Sequence, residues 1–124
     1  MMGRLFCIAM ALGVLLAGSV PAQAGQCGYD YCWGAVAAGP NGAVGRASGV
    51  RTAPDAAARA ERACGAACGR AEPFVNGCGA IAEARDGTLT AGFAKRRRLA
   101  QQRAKAACGI DGGFCVLRVT ACSR

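Results

Sequence analysis

A sequence that repeats itself folds into two similar units, and this one repeats itself across a seam at Phe74-Val75-Asn76-Gly77-Cys78-Gly79-Ala80-Ile81-Ala82. At an offset of 45, Gly34, Ala35, Val36, Ala37 and Gly42 fall on Gly79, Ala80, Ile81, Ala82 and Gly87. At an offset of 44, Ala56, Arg59, Ala60, Ala63, Cys64 and Gly65 fall on Ala100, Arg103, Ala104, Ala107, Cys108 and Gly109. One residue has been gained or lost in the loop before the second group. Val119-Thr120-Ala121-Cys122 also reads like Val75-Asn76-Gly77-Cys78. Copy one therefore runs over about 33–78 and copy two over about 78–122.

Each copy carries the same local signals. A first strand (about 33–38 and 79–83) meets Gly39-Pro40-Asn41-Gly42 or Ala84-Arg85-Asp86-Gly87, where Asn-Gly and Asp-Gly suit a two-residue hairpin turn. A second strand returns over about 43–49 and 88–94. Leu89, Ala91 and Phe93 alternate with Thr88, Thr90 and Gly92, which predicts one apolar face. A helix comes next. Thr52 is an N-cap with Asp55 three residues on, and Gly65 stops the helix. Ala56, Ala60, Ala63 and Ala67 recur on one predicted inward face, matched in copy two by Ala100, Ala104, Ala107 and Cys108. Phe74-Val75 and Val116 to Ala121 read as closing strands. The expected fold is α+β: two pseudo-symmetric strand-strand-helix-strand repeats forming a small antiparallel sheet with two alanine-rich helices packed on it.

The large apolar side chains are too few to hold such a domain with much margin, and the cysteines supply the remedy. Arg4, the apolar run Leu5 to Ala17 and Ala22-Gln23-Ala24 form a secretory signal with cleavage after Ala24. The apolar run is short of the ~20 residues that span a bilayer, so no integral anchor is expected after cleavage. Cys7 leaves with the leader. Residues 25–124 remain as one disulfide-rich domain, secreted or periplasmic, with eight cysteines. Many pairings are open to eight cysteines, and the repeat favours one set. Cys64–Cys68 and Cys108–Cys115 pin each helix to the strand after it. Cys78–Cys122 joins equivalent strand ends across a pseudo-twofold axis, and Cys27–Cys32 is left.

The Trp33-Gly34-Ala35-Val36-Ala37 opening, the small-residue hairpin, the helix ending Ala63-Cys64-Gly65 and the Asn76-Gly77-Cys78-Gly79-Ala80 joint resemble the domain of unknown function 4189 family, small exported bacterial domains. The resemblance runs from Trp33 to Cys122. It implies secretion and a single α+β domain, and it brings no catalytic residue with it. The chain departs from the family's pattern at helix two, where Lys95-Arg96-Arg97-Arg98 stands in place of the usual Ser or Thr cap.

The chain contains no histidine, so Ser-His and Cys-His nucleophiles, His-ligated metals and imidazole acid–base chemistry are excluded. No Cys-x-x-Cys occurs, against thioredoxin-type and zinc-ribbon readings. Of the seven carboxylates, Asp55 caps, Asp86 and Asp111 sit in turns, and Glu61 is read as facing solvent beside Arg62. Asp30 lies in the short leader segment before the first strand. Glu72 and Glu83 have no evident structural role, and nothing in the sequence places them together for glycosidase-type chemistry. No catalytic residue, metal or cofactor is expected.

Without the leader, 14 basic residues face 7 acidic ones, a balance of +7. That balance favours anionic partners, an envelope polymer or an acidic protein before any specific nucleic acid, although charge alone also keeps a small domain soluble. Lys95, Arg96, Arg97 and Arg98 are the candidate anion-binding residues. Cations in a first helical turn oppose the helix dipole, so stability alone does not account for them. The expected function is an exported, non-enzymatic binding module. An inhibitor or immunity-type protein against a secreted or periplasmic enzyme is the alternative, and a weak carboxylate-dependent hydrolase ranks below both.

Overall fold

The computed structural model describes residues 27–109 and 114–124. The expected leader, Cys7 and Asp111 lie outside them. In chain order the elements are β1 (Trp33–Ala38), β2 (Val44–Val50), α1 (Ala53–Cys64), β3 (Glu72–Val75), β4 (Gly77–Ala84), β5 (Leu89–Ala94), α2 (Arg97–Cys108) and β6 (Cys115–Ser123), with a 3-10 turn at Pro40–Gly42. Strand-strand-helix-strand thus occurs twice, as the repeat predicts. The strands divide between two three-stranded antiparallel sheets, ordered β2-β1-β3 and β5-β4-β6, where one sheet was expected. The reason is local. In each copy the first strand is central and paired on both sides within its own copy, so the two copies meet by stacking faces and not by pairing their first strands. The link between them is Asn76 alone, held at φ 48°, which turns the chain from one sheet into the next.

Alternation along the central strands builds four layers, helix on sheet on sheet on helix. Ala35 and Ala37 of β1 meet Ala56, Ala60 and Cys64 of α1. Val36 and Ala38 turn the other way, joining Phe74 against Ile81, Val119 and Ala121 of the second sheet. Cys78, Ala80 and Ala82 of β4 then meet Ala100 and Ala104 of α2. A strand covered on both faces needs small or apolar residues at every position, which is how β1 reads and how β4 reads up to Ala82.

The helices lie so close to the sheets that backbone touches backbone. A Cβ added at Gly45 would fall on the Ala60 carbonyl oxygen and the Cys64 amide, and one added at Gly92 on the Ala104 amide and the Ala100 carbonyl. Thr90 fills the neighbouring space under α2, where its hydroxyl donates to the Ala104 carbonyl at 3.0 Å. The face of β5 carrying Thr90 and Gly92 is therefore a buried, helix-bearing face. Ala60 and Ala104 are fully buried at these contacts. Ala60→Leu and Ala104→Leu are each expected to cost about 1–3 kcal/mol by overpacking. Urea melts of the two variants check this, and wild-type midpoints would show that the helix–sheet contact has slack.

Two expectations about local geometry change. Ala63, Ala67 and Ala107 are exposed, and the inward rows are Ala56, Ala60, Cys64 and Ala100, Ala104, Cys108. At about 100° per residue, the fourth and eighth residues after Ala56 step progressively around to one side. Ala63 falls back about 20° on the other side. Both helices differ in the same way, so the repeat equivalence stands. The hairpins also differ from each other. Asn41 and Gly42 both take positive φ, as a two-residue turn requires. In copy two only Gly87 does; Gly39 N–H on the Ala43 carbonyl and Ala84 N–H on the Thr88 carbonyl close both loops alike, but the tight turn inside is Pro40–Ala43 in copy one and Ala84–Gly87 in copy two. Hydrogen bonds from the Thr88 backbone and side chain hold the Asp86 carboxyl below the usual aspartate range.

Four bridges join the eight described cysteines: Cys27–Cys32, Cys64–Cys68, Cys78–Cys122 and Cys108–Cys115. The third does not cross between copies on a symmetry axis. Cys78 and Cys122 are direct partners in the β4–β6 ladder, with Cα atoms 4.0 Å apart. In the first sheet the corresponding pair is Trp33 and Val75. Cys122 thus stands where Val75 stands, and its likeness to Cys78 in the Asn-Gly-Cys stretch is not a structural equivalence. Ser123, buried beside it, ties the halves together: its hydroxyl accepts from Gly49 N–H at 2.8 Å and donates to the Trp33 carbonyl at 3.1 Å.

Candidate functional site

Stacking β3 over β5 leaves a cleft of about 810 Å³ beside the seam. Its floor is Pro73, Phe74 and Val75 from copy one with Phe93, Ala94 and Leu99 from copy two. The Phe74 and Phe93 rings meet tilted, with centroids 6.4 Å apart. Val75 and Leu99 remain 38% and 39% exposed, so the cleft offers uncovered apolar surface. Asn76 fixes its wall: its Oδ1 accepts from the Cys32 amide at 2.8 Å and its Nδ2 donates to the Asp30 carbonyl at 3.2 Å, anchoring the Cys27–Cys32 loop.

The basic run borders this cleft only in part. Lys95, Arg96, Arg97 and Arg98 are all exposed, and Arg96 is the N-cap of α2 with no side-chain cap hydrogen bond. Lys95 and Arg96 line the cleft, together with Arg103. Arg97 turns into a different cleft, and Arg98 lines neither. Two other guanidinium groups hold the connection from β5 into α2. Arg103 donates to the Phe93 carbonyl at 2.6 Å, and Arg124 donates to the Lys95 carbonyl at 2.8 Å. Among the described residues neither Lys95 nor Arg96 has an ion-pair partner. The rim is thus two free cations above an apolar floor. Leu99 was the available sequence signal for that floor, a large apolar residue off the alanine face of its helix.

The carboxylates are mostly engaged in structure. Glu61 accepts from the Ala71 amide at 3.0 Å and so fastens the loop after α1, where the sequence suggested a solvated side chain. Glu83 pairs with Arg118 at 2.7 Å. Thr52 caps α1 by accepting from the Asp55 amide at 3.3 Å. Glu72 is exposed on β3, in the other sheet from Glu83. Among the described residues no cluster of three or more His, Cys, Asp or Glu could hold a metal ion. A more open hollow of about 840 Å³ lies beside the Cys64–Cys68 loop, but it mixes Glu61 with Arg62 and Arg70 and belongs to one helix end.

Two strand-strand-helix-strand units, stacked sheet to sheet and stapled by four disulfides, define a small disulfide-stabilised α+β domain. The chain belongs to the family described as domain of unknown function (DUF4189), whose model matches residues 33–122. Among solved structures it is similar to the NMR structure of Rv1813c from Mycobacterium tuberculosis. The identity is 26% and the TM-score 0.56, over 98% of this chain and 97% of that one. No curated protein matches the chain. Four disulfides suit an oxidising compartment. No helix among the described residues is long and apolar enough to cross a membrane.

Proposed function

We propose that this domain is an exported, non-enzymatic binding module that takes an acidic protein segment in the seam cleft. The observation that carries the reading is the pairing of an apolar floor with a cationic rim. Phe74, Val75, Phe93 and Leu99 reward apolar side chains, and Lys95 and Arg96 reward carboxylates beside them. A polyanion without apolar groups would satisfy the rim and leave the floor wet, so an acidic protein suits the cleft better than an envelope polymer. Export accords with the disulfides, which persist outside reducing compartments.

The test compares a Glu-rich peptide containing Leu and Phe with polyglutamate and with an anionic polysaccharide, at two salt concentrations. The mixed peptide is expected to bind most tightly, and its binding to weaken as salt screens the rim. Lys95→Gln with Arg96→Gln should weaken it by on the order of tenfold, as lost hydrogen bonds to charged groups do. The same variant should melt no lower, because each cation removed from the start of α2 relieves about 0.3–1 kcal/mol of dipole repulsion. Equal binding of polyglutamate would sink the apolar floor. A double variant that melts lower and binds as before would mean that these side chains serve the fold.

A further inference from the structure

At the edge of the sandwich where β2 lies over β6, a second cleft of about 520 Å³ gathers three arginines from three elements: Arg46 of β2, Arg97 of α2 and Arg118 of β6. Among the described residues no carboxylate lines it. We infer that this cleft is a separate binding site for a dianionic oxyanion, a phosphate or phosphomonoester group. It draws residues from both copies, so it exists only in the assembled domain.

Arg118 is placed there by an irregularity. In the β4–β6 ladder Ile81 pairs with Val119 and Ala82 with Leu117, so Arg118 is an extra residue on a β-bulge. Bulges re-aim a side chain away from the regular alternation. Here the guanidinium reaches across to the β1–β2 hairpin, where its Nη2 lies 3.5 Å from the position a Cβ on Gly42 would occupy. Its Nη1 is fixed by the Glu83 carboxylate at 2.7 Å, which orients the remaining donors. Thr120 accepts from Gln101 Nε2 at 3.1 Å, so its own hydroxyl hydrogen is left to donate, and both residues line the cleft.

Charge decides the ligand. Among the described residues Arg46 and Arg97 have no ion-pair partner, and Glu83 offsets only Arg118. Three guanidiniums against one carboxylate leave two positive charges, which a dianion balances. Guanidinium forks also match the oxygen spacing of phosphate. A phosphate monoester is dianionic above its second ionisation near pH ~6. The site shares only α2 with the seam cleft, and the two readings stand or fall separately.

The experiment titrates the intact, oxidised domain with inorganic phosphate and with glycerol phosphate, against chloride at matched ionic strength, following backbone amides by NMR. Saturable shifts at 44–46, 97–101 and 118–120 are expected with both phosphates and absent with chloride. Arg46→Gln and Arg97→Gln should each weaken binding by on the order of tenfold. Both side chains are exposed, so neither variant should melt lower, and Arg97→Gln at the start of α2 should melt the same or slightly higher. Lys95→Gln with Arg96→Gln should leave phosphate binding intact. Affinity for glycerol phosphate should fall as pH drops through ~6, when the ester takes up a proton and loses a charge. A tighter ester than free phosphate assigns the site to an organic phosphate, and the reverse order to inorganic phosphate. Shifts that chloride reproduces, or that survive both arginine substitutions, would overturn the site.

Discussion

Alanine at Gly92 or Gly45 is expected to destabilise the domain by about 3 kcal/mol or more, while alanine at Gly69 leaves it unchanged or slightly firmer. The contrast rests on what the new methyl meets. At Gly45 and Gly92 it meets backbone atoms of α1 and α2, which cannot swing aside as a side chain does. To make room, a helix must lift from its sheet, and Ala56, Ala60 or Ala100, Ala104 lose contact with it. At Gly69 nothing lies within 4 Å, and the residue is not among those with positive φ. Urea denaturation of the three variants decides the matter. A Gly92→Ala midpoint equal to that of Gly69→Ala would show that α2 is not seated as closely as the structure places it.

Removing the Cys78–Cys122 bridge should cost about twice as much as removing Cys64–Cys68. The two bridges join residues 44 and 4 apart in sequence. The loop-entropy relation then gives about 4 kcal/mol for the long loop and about 2 kcal/mol for the short one. Only the long bridge restricts the unfolded chain over the whole of copy two. Paired Cys→Ala variants, compared by urea midpoint and slope, test the ratio. Equal losses would mean that the unfolded chain already holds β4 near β6, or that the oxidised state is strained.

How far the sequence could be read depended on what each residue type reveals. Turn glycines, caps and alternating strands mark their own positions, so Thr52, Gly42 and Gly87 located helix one and both hairpins. Alanine does not mark a face, because it is tolerated inside and outside alike. In α1 and α2 the cysteines at the end of each inward row were the better guide, and Ala63 and Ala107 misled. Register was hidden for a related reason. The Asn-Gly-Cys likeness drew Cys122 onto Cys78, whereas pairing in the sheet places it opposite Cys78. The seam and the basic run were both visible as isolated stretches. Their meeting in one cleft, and the departure of Arg97 to join Arg46 and Arg118, come from sheet stacking and from a one-residue bulge that no local pattern announces.

Phe74 has a consequence for where such a domain can come from. Its ring lies against both Gly34 and Gly79, which correspond in the two copies, and a Cβ at either would strike it at 2.5–2.6 Å. By register, Phe74 faces Gly34 as Ala121 faces Gly79. The position that mirrors the ring is thus held by a methyl group, and the other ring of this cluster, Phe93, comes from a different strand position. Two identical half-length chains would carry the same side chain at both positions and could not set a single ring against both glycines. The backbone symmetry is therefore not matched by the side chains, and the two halves need different sequences at this place.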